Sequence, residues 1–172
     1  YNRHFTRREL EEIGAGVGSD VPFCVTGGTQ LARGRGEILS DLTPLPDCGI
    51  VICKPDFSIS TPELYRKIDS VTIKCRPDTP GIIAALDAGD LAGLARRMYN
   101  VFEDVPDRRR KSIAAIRSEM LDKGAMGAIM TGSGSAVFGI FPSRGQAAAA
   151  LAGMKKLPGS SFIAENIPAI KV

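Results

Sequence analysis

The sequence has a single histidine, His4, and no Cys-x-x-Cys pair, which argues against a zinc site. Its four cysteines, Cys24, Cys48, Cys53 and Cys75, follow no framework spacing. Cys48 and Cys53 stand an odd number of places apart on an expected strand, so they face opposite sides. Free thiols in a reducing cytoplasm are the simplest reading. No apolar run is long enough to span a bilayer and no signal-peptide pattern is present, so neither a membrane partner nor export is expected. Charge of one sign is also missing: 22 basic and 19 acidic residues leave a formal charge of +3. The only tight basic run, Arg108-Arg109-Arg110-Lys111, has no aromatic residue interleaved with it. It reads as the solvated start of a helix, not as a nucleic-acid surface. There is no internal repeat and no low-complexity linker.

What is present suits a soluble globular chain. The 172 residues are 44% hydrophobic and 24% charged, enough for one fair-sized core. Residues 6–17 have a helical pattern, opened by Thr6 with Glu9 three places on, a capping box. Leu10 and Ile13 lie on one face of it. Gly14, Gly16 and Gly18 end that helix; without a preceding strand or a following Gly-Lys-Ser/Thr they do not form a nucleotide loop. Residues 29–38 read as a hairpin turning at Gly34. Residues 49–53 are a continuous run of strand-forming residues, ended by Pro55.

A helix follows, with Thr61 as its expected cap, Pro62 at its first position, and Leu64, Tyr65 and Ile68 facing inward. Residues 81–88 and 91–99 are two short helical patterns, the second with Asn100 at its end. Residues 106–123 form the longest amphipathic pattern. Strands at 126–130 and 136–141 flank the turn Thr131-Gly132-Ser133-Gly134-Ser135. An alanine-rich helix at 143–155 and a last strand at 161–167 complete the order. This predicts an α+β fold, a mostly antiparallel sheet with helices on one face.

Two stretches carry candidate chemistry. The first is Gly18-Ser19-Asp20-Val21-Pro22-Phe23, followed by Gly27-Gly28 and Ala32-Arg33-Gly34-Arg35-Gly36-Glu37. Asp20 reads either as a turn or helix cap or as a presented carboxylate stiffened by Pro22. The second is the glycine turn at 131–135, which is either a plain hairpin turn or a set of backbone N–H groups and hydroxyls suited to an anion.

Together and in this order, these segments resemble the small-molecule kinases named for galactokinase, homoserine kinase, mevalonate kinase and phosphomevalonate kinase. Within that superfamily they are most similar to the branch of the non-mevalonate isoprenoid (terpenoid) pathway, whose substrate is 4-diphosphocytidyl-2-C-methyl-D-erythritol. The resemblance implies ATP-dependent phosphorylation of the 2-hydroxyl of that small molecule, with ATP and Mg²⁺ required. It implies that Asp20 is the catalytic base or hydroxyl aligner. It implies that Gly132, Ser133 and Gly134 support the nucleotide phosphates, and that Thr61 and Tyr65 lie near the alcohol substrate. For Thr61 and Tyr65 a helix cap and a packed aromatic remain equally open, and for Arg33 and Arg35 so do the solvated charges of a hairpin. Asn100 also has a counterpart in the family, although an Asn ending a helix needs no function.

The family's main phosphate loop and its N-terminal lysine have no matching segment here. By resemblance, residues 1–28 are then the remnant of an ATP-binding domain and residues 29–172 a C-terminal, substrate-side domain, and the chain is expected to be inactive alone. Two other readings remain: another alcohol kinase of the same superfamily, or a non-catalytic α+β binding or dimerisation module. Metal ligands and oligomeric state are not indicated.

Overall fold

The computed structural model describes residues 4–73, 75–154 and 159–166. Its contacts divide the chain into two compact units, residues 1–46 with 166–172, and residues 47–165. The division falls after Pro46, so residues 29–46 group with the segment before them.

In the first unit, Thr6 and Glu9 close a capping box that starts helix α1 (Arg7–Val17). The Glu9 carboxylate accepts the Thr6 N–H at 2.8 Å, which satisfies a backbone donor the helix itself leaves open. Ile13, on the face it shares with Leu10, is 54% exposed. Helix α2 (Val21–Thr26) follows, with Asp20 at its N-cap position. Proline is tolerated in a first helical turn, where its missing N–H costs nothing.

A polar chain then joins the pieces of this unit. The buried Thr26 hydroxyl donates to Glu11 at 2.7 Å, and Arg7 donates to Glu11 at 2.8 Å and to Asp41 at 3.0 Å. Gln30 also donates to Asp41, at 2.6 Å. The bonds from Thr26 and then Arg7 hold the Glu11 carboxyl below its ordinary pKa. Asp41 and Gln30 are paired residues of the hairpin formed by β1 (Gln30–Arg33) and β2 (Ile38–Asp41).

The second unit is built on a four-stranded antiparallel sheet in the order β4-β5-β3-β6, with β3 at Gly49–Lys54, β4 at Gly127–Met130, β5 at Val137–Phe141 and β6 at Ser160–Ala164. Alternation along β3 sends Val51 and Cys53 to one face, where both are fully buried. Helices α6 (Arg110–Asp122) and α7 (Arg144–Met154) pack on the sheet there. Ile113, Ile116, Met120, Ala147, Ala150 and Met154 join Val137 and Phe141 in the core. The α+β class with an antiparallel sheet is as the sequence implies.

The remaining helices are α3 (Thr61–Ile68), α4 (Thr79–Asp87) and α5 (Leu91–Arg97). Asp78 and Asp90 cap α4 and α5 by accepting the N–H groups of Gly81 and Gly93. A one-turn 3-10 helix, Val101–Asp104, follows.

Several boundaries move. The N-cap position of α3 is Ser60, Thr61 is its first residue, and no side chain caps it. Tyr65 is 55% exposed rather than inward, its ring edge-on to Phe102 with centroids 5.0 Å apart. Helix α6 starts at Arg110 rather than at Pro106, because Asp107 folds back to accept the Arg109 N–H at 2.8 Å. The expected ends at Lys155 and Ile167 lie outside the described residues.

Candidate active site

Asp20 occupies the N-cap position of α2, with αR backbone angles and no side-chain capping bond. It is exposed, and among the described residues its carboxylate has no hydrogen-bond or ion-pair partner. Two local features account for this. Pro22 is buried in the first turn of the helix, so the residue before Val21 is presented at a fixed place. The turn of the β1–β2 hairpin passes alongside: a Cβ at Gly36 would lie 3.1 Å from the Asp20 Oδ1 and 3.4 Å from the Ser19 carbonyl. Gly36 also has φ +121°, which side-chain-bearing residues rarely adopt. The two halves of the first sequence motif therefore meet at this carboxylate. Arg33 donates to Ser40 at 3.0 Å, a contact within the hairpin, and Arg35 is exposed.

In the second unit the turn between β4 and β5 is fastened on several sides. Its own backbone closes it, Thr131 N–H to the Ala136 carbonyl at 2.9 Å and Gly134 N–H to the Thr131 carbonyl at 2.9 Å. Gly132 and Gly134 both have positive φ, as a turn this tight requires. Ser135 is fully buried; its hydroxyl donates to the Phe57 carbonyl at 2.5 Å and accepts from the Lys54 ammonium at 2.9 Å. The other Lys54 protons go to the carbonyls of Pro55 and Phe57, at 3.0 and 2.9 Å. All three ammonium donors thus have acceptors, and the charge sits at the base of the turn.

Ser133 and Thr61 bring two of the predicted sites together. Their hydroxyl oxygens are 2.7 Å apart, so Thr61 faces the turn instead of capping its own helix. Tyr65 stands one turn further along α3 with its ring exposed. Asn100 does more than end a helix. Its amide nitrogen donates to the carbonyls of Met130 at 2.7 Å and Gly132 at 2.8 Å, and its oxygen accepts the Phe102 N–H at 3.0 Å.

The sequence does not single out Lys54 or Glu103, and it offers Ser135 only as one hydroxyl of the turn. A lysine ending a buried strand and a serine closing a glycine turn were the only signals for Lys54 and Ser135. Glu103 accepts the Met130 N–H at 2.7 Å and pairs with Arg117. Beside this turn, a cavity of about 160 Å³ is lined by Ile59, Leu64, Phe102, Ile113 and Met130, with Asp107, Arg110 and Arg117 among its polar residues.

The polar segment around residue 107 steadies α3. Arg109 grips Asp107 in a two-pronged pair at 2.6 and 2.7 Å, and Lys67 bridges Asp107 at 3.2 Å and Glu63 at 2.7 Å. The Arg109 bonds hold the Asp107 carboxyl well below the ordinary range, against the opposing effect of burial. Tyr99 donates to Asp104 at 2.5 Å, and that bond pushes its hydroxyl up to about 12. Among the described residues, no group of three His, Cys, Asp or Glu side chains is placed to hold a metal ion.

The chain is similar to several known proteins. Residues 82–159 match the family model for the C-terminal domain of GHMP kinases. The chain is 46% identical over 147 residues to 4-diphosphocytidyl-2-C-methyl-D-erythritol kinase of Syntrophomonas wolfei, covering 86% of this chain and 52% of that protein. It is 39% identical over 164 residues to the enzyme of the same name from Clostridium tetani, covering 95% and 59%. The crystal structure of a 4-(cytidine 5'-diphospho)-2C-methyl-D-erythritol kinase superposes with a TM-score of 0.73 at 28% identity, over 90% of this chain and 55% of that one. Leishmania major mevalonate kinase shares the fold, with a TM-score of 0.66 at 16% identity. The chain spans about half the length of the relatives it matches. Residues 82–159 thus match the C-terminal domain of GHMP kinases, and over most of its length the chain is similar to 4-diphosphocytidyl-2-C-methyl-D-erythritol kinases.

Proposed function

We propose that the complete protein transfers the γ-phosphoryl group of ATP to the 2-hydroxyl of 4-diphosphocytidyl-2-C-methyl-D-erythritol, in the cytoplasm. The observation that carries this reading is the exposed Asp20 carboxylate, without a protein partner among the described residues and cleared on one side by Gly36. A carboxylate left unpaired can accept a proton or align a hydroxyl. In the proposed step the substrate's 2-oxygen bonds to the γ-phosphorus, the bond from that phosphorus to the β-bridging oxygen breaks, and ADP leaves. The hydroxyl proton passes to Asp20 and then to solvent.

Gly132, Ser133 and Gly134 take a supporting role toward the nucleotide phosphates, as backbone donors and one hydroxyl on a fastened turn. Thr61 and Tyr65 take the substrate side; the exposed Tyr65 ring, edge-on to Phe102, offers a face to a cytosine base. Residues 1–28 are assigned to an ATP-binding domain and the rest to the substrate side. Magnesium would travel with the phosphates and neutralise their charge. Among the described residues no group of three His, Cys, Asp or Glu side chains is placed to hold it. Four free cysteines and the lack, among the described residues, of a helix long and apolar enough to cross a membrane accord with a reducing, aqueous compartment.

The test is to incubate the complete gene product with ATP and a panel of alcohols, among them 4-diphosphocytidyl-2-C-methyl-D-erythritol, homoserine and mevalonate, and to follow ADP formation. Turnover confined to the cytidyl substrate supports the assignment. Turnover confined to another alcohol retains the family and removes this substrate.

A further inference from the structure

We propose that Asn100 is a positioning residue, whose carboxamide sets where the backbone donors at 132–134 stand and thereby sets affinity for the nucleotide phosphates. The inference rests on the reading of that turn as phosphate support.

Strand β4 is the outer strand of its sheet, so one edge presents backbone groups with no strand beside them. Three side chains occupy that edge. Arg117 donates to the Ala128 carbonyl at 2.9 Å, Glu103 accepts the Met130 N–H at 2.7 Å, and Asn100 donates to the Met130 carbonyl at 2.7 Å. Asn100 then continues past the end of the strand to the Gly132 carbonyl at 2.8 Å. Its two amide protons thus bind the carbonyls on either side of Thr131, where the strand becomes the turn.

The chemistry selects an amide. The Asn100 oxygen is taken by the Phe102 N–H, which fixes the ring of bonds in one orientation. Reversing the amide would set an oxygen against two carbonyl oxygens. The 3-10 helix that Asn100 starts also carries Glu103, and Arg117 pairs with Glu103. One short segment therefore grips both the strand and the first glycine of the turn. With Asp at position 100, an anionic oxygen would face two carbonyl oxygens at under 3 Å, and the tether would open without any change in side-chain size.

The experiment compares N100D and N100A with the wild type in the complete gene product. It measures amide hydrogen exchange at residues 132–134 and in β3 and β5, MgATP binding, and separate KM values for ATP and the alcohol. Expected in both variants is exchange at 132–134 faster by about tenfold or more, with β3 and β5 unchanged. MgATP binding weakens and the ATP KM rises by about tenfold, while the alcohol KM stays within about twofold. Unchanged exchange at the turn overturns the proposal. So does faster exchange with unchanged ATP affinity, which leaves the kinase reading intact on the strength of wild-type turnover. A uniform rise in exchange that includes β3 and β5 assigns Asn100 a purely structural role and also overturns it. A wild-type protein that binds no MgATP removes the kinase reading itself, and this proposal with it.

Discussion

The Thr61 hydroxyl lies 2.7 Å from the Ser133 hydroxyl, joining the first residue of α3 to the glycine turn between β4 and β5. A pair of this kind contributes about 0.5–1.5 kcal/mol net, with an exposed pair near the low end. T61V and S133A should each lower stability to urea by no more than about 1 kcal/mol. The double variant should cost about as much as either single one, because the second change removes a bond already lost. Additive losses would mean that the two hydroxyls act separately.

Gly36 is predicted to matter to activity more than its place in a hairpin turn suggests. A Cβ there meets the Asp20 carboxylate at 3.1 Å, on a backbone with φ +121°. G36A should destabilise the protein by about 1 kcal/mol or more through the backbone alone. If Asp20 has the proposed role, kcat of the complete protein should fall by about tenfold or more at temperatures where the variant is still folded, since a small displacement of such a group is costly. Unaltered kcat in a folded G36A would separate this turn from Asp20.

The core should respond as a close-packed interior does. Phe141 is fully buried on β5 and belongs to the core cluster to which α6 and α7 contribute. F141A should cost about 3–5 kcal/mol, a large share of an ordinary domain's stability, and F141L markedly less. Equal losses for the two variants, measured by denaturant unfolding, would contradict this packing.

Acid should weaken the second unit through Asp107. Its carboxyl is held low chiefly by Arg109, with Lys67 assisting. The folded state then binds fewer protons than the unfolded state between the two pKa values, so stability falls as pH falls. The contribution is fully present above the unfolded carboxyl value, about pH 4, and is lost as pH drops through the lower folded value. Glu63 in the same cluster shifts in the same direction, because of Lys67 first. Thermal unfolding from about pH 7 to about pH 2.5 should show the midpoint declining below about pH 4. D107N should have a lower midpoint at neutral pH and a flatter decline. A decline identical to that of the wild type would place the acid sensitivity elsewhere.

What could be read from the sequence was local. The capping box of α1 needs only Thr6 and Glu9, and the buried run of β3 needs only its neighbours, so both were legible. The glycine turn was legible as a turn. Helix α2 was not, because a proline two places after Asp20 reads equally as a bend or as a first helical turn, and a six-residue helix depends on packing against α1. For Thr61 the sequence leaves a cap and a place near the substrate open, because its actual partner, Ser133, is 72 residues away. Asn100 was read as a helix end for the same reason, its carbonyl partners lying 30 and 32 residues downstream. Tyr65 was placed inward by helical spacing, whereas Phe102 supports only its edge. Within the candidate site, residue types were visible early, but the bonds that fasten the turn are long-range and only the fold discloses them.

The account turns on Asp20, and the most direct test is the steady-state kinetics of D20N in the complete gene product with ATP and 4-diphosphocytidyl-2-C-methyl-D-erythritol. The substitution keeps size and removes the basic carboxylate. The account predicts a fall in kcat of about 10²–10⁴-fold, with the KM for each substrate changed far less and unfolding midpoints unaltered. A folded D20N enzyme that turns over within a few-fold of the wild type would contradict it.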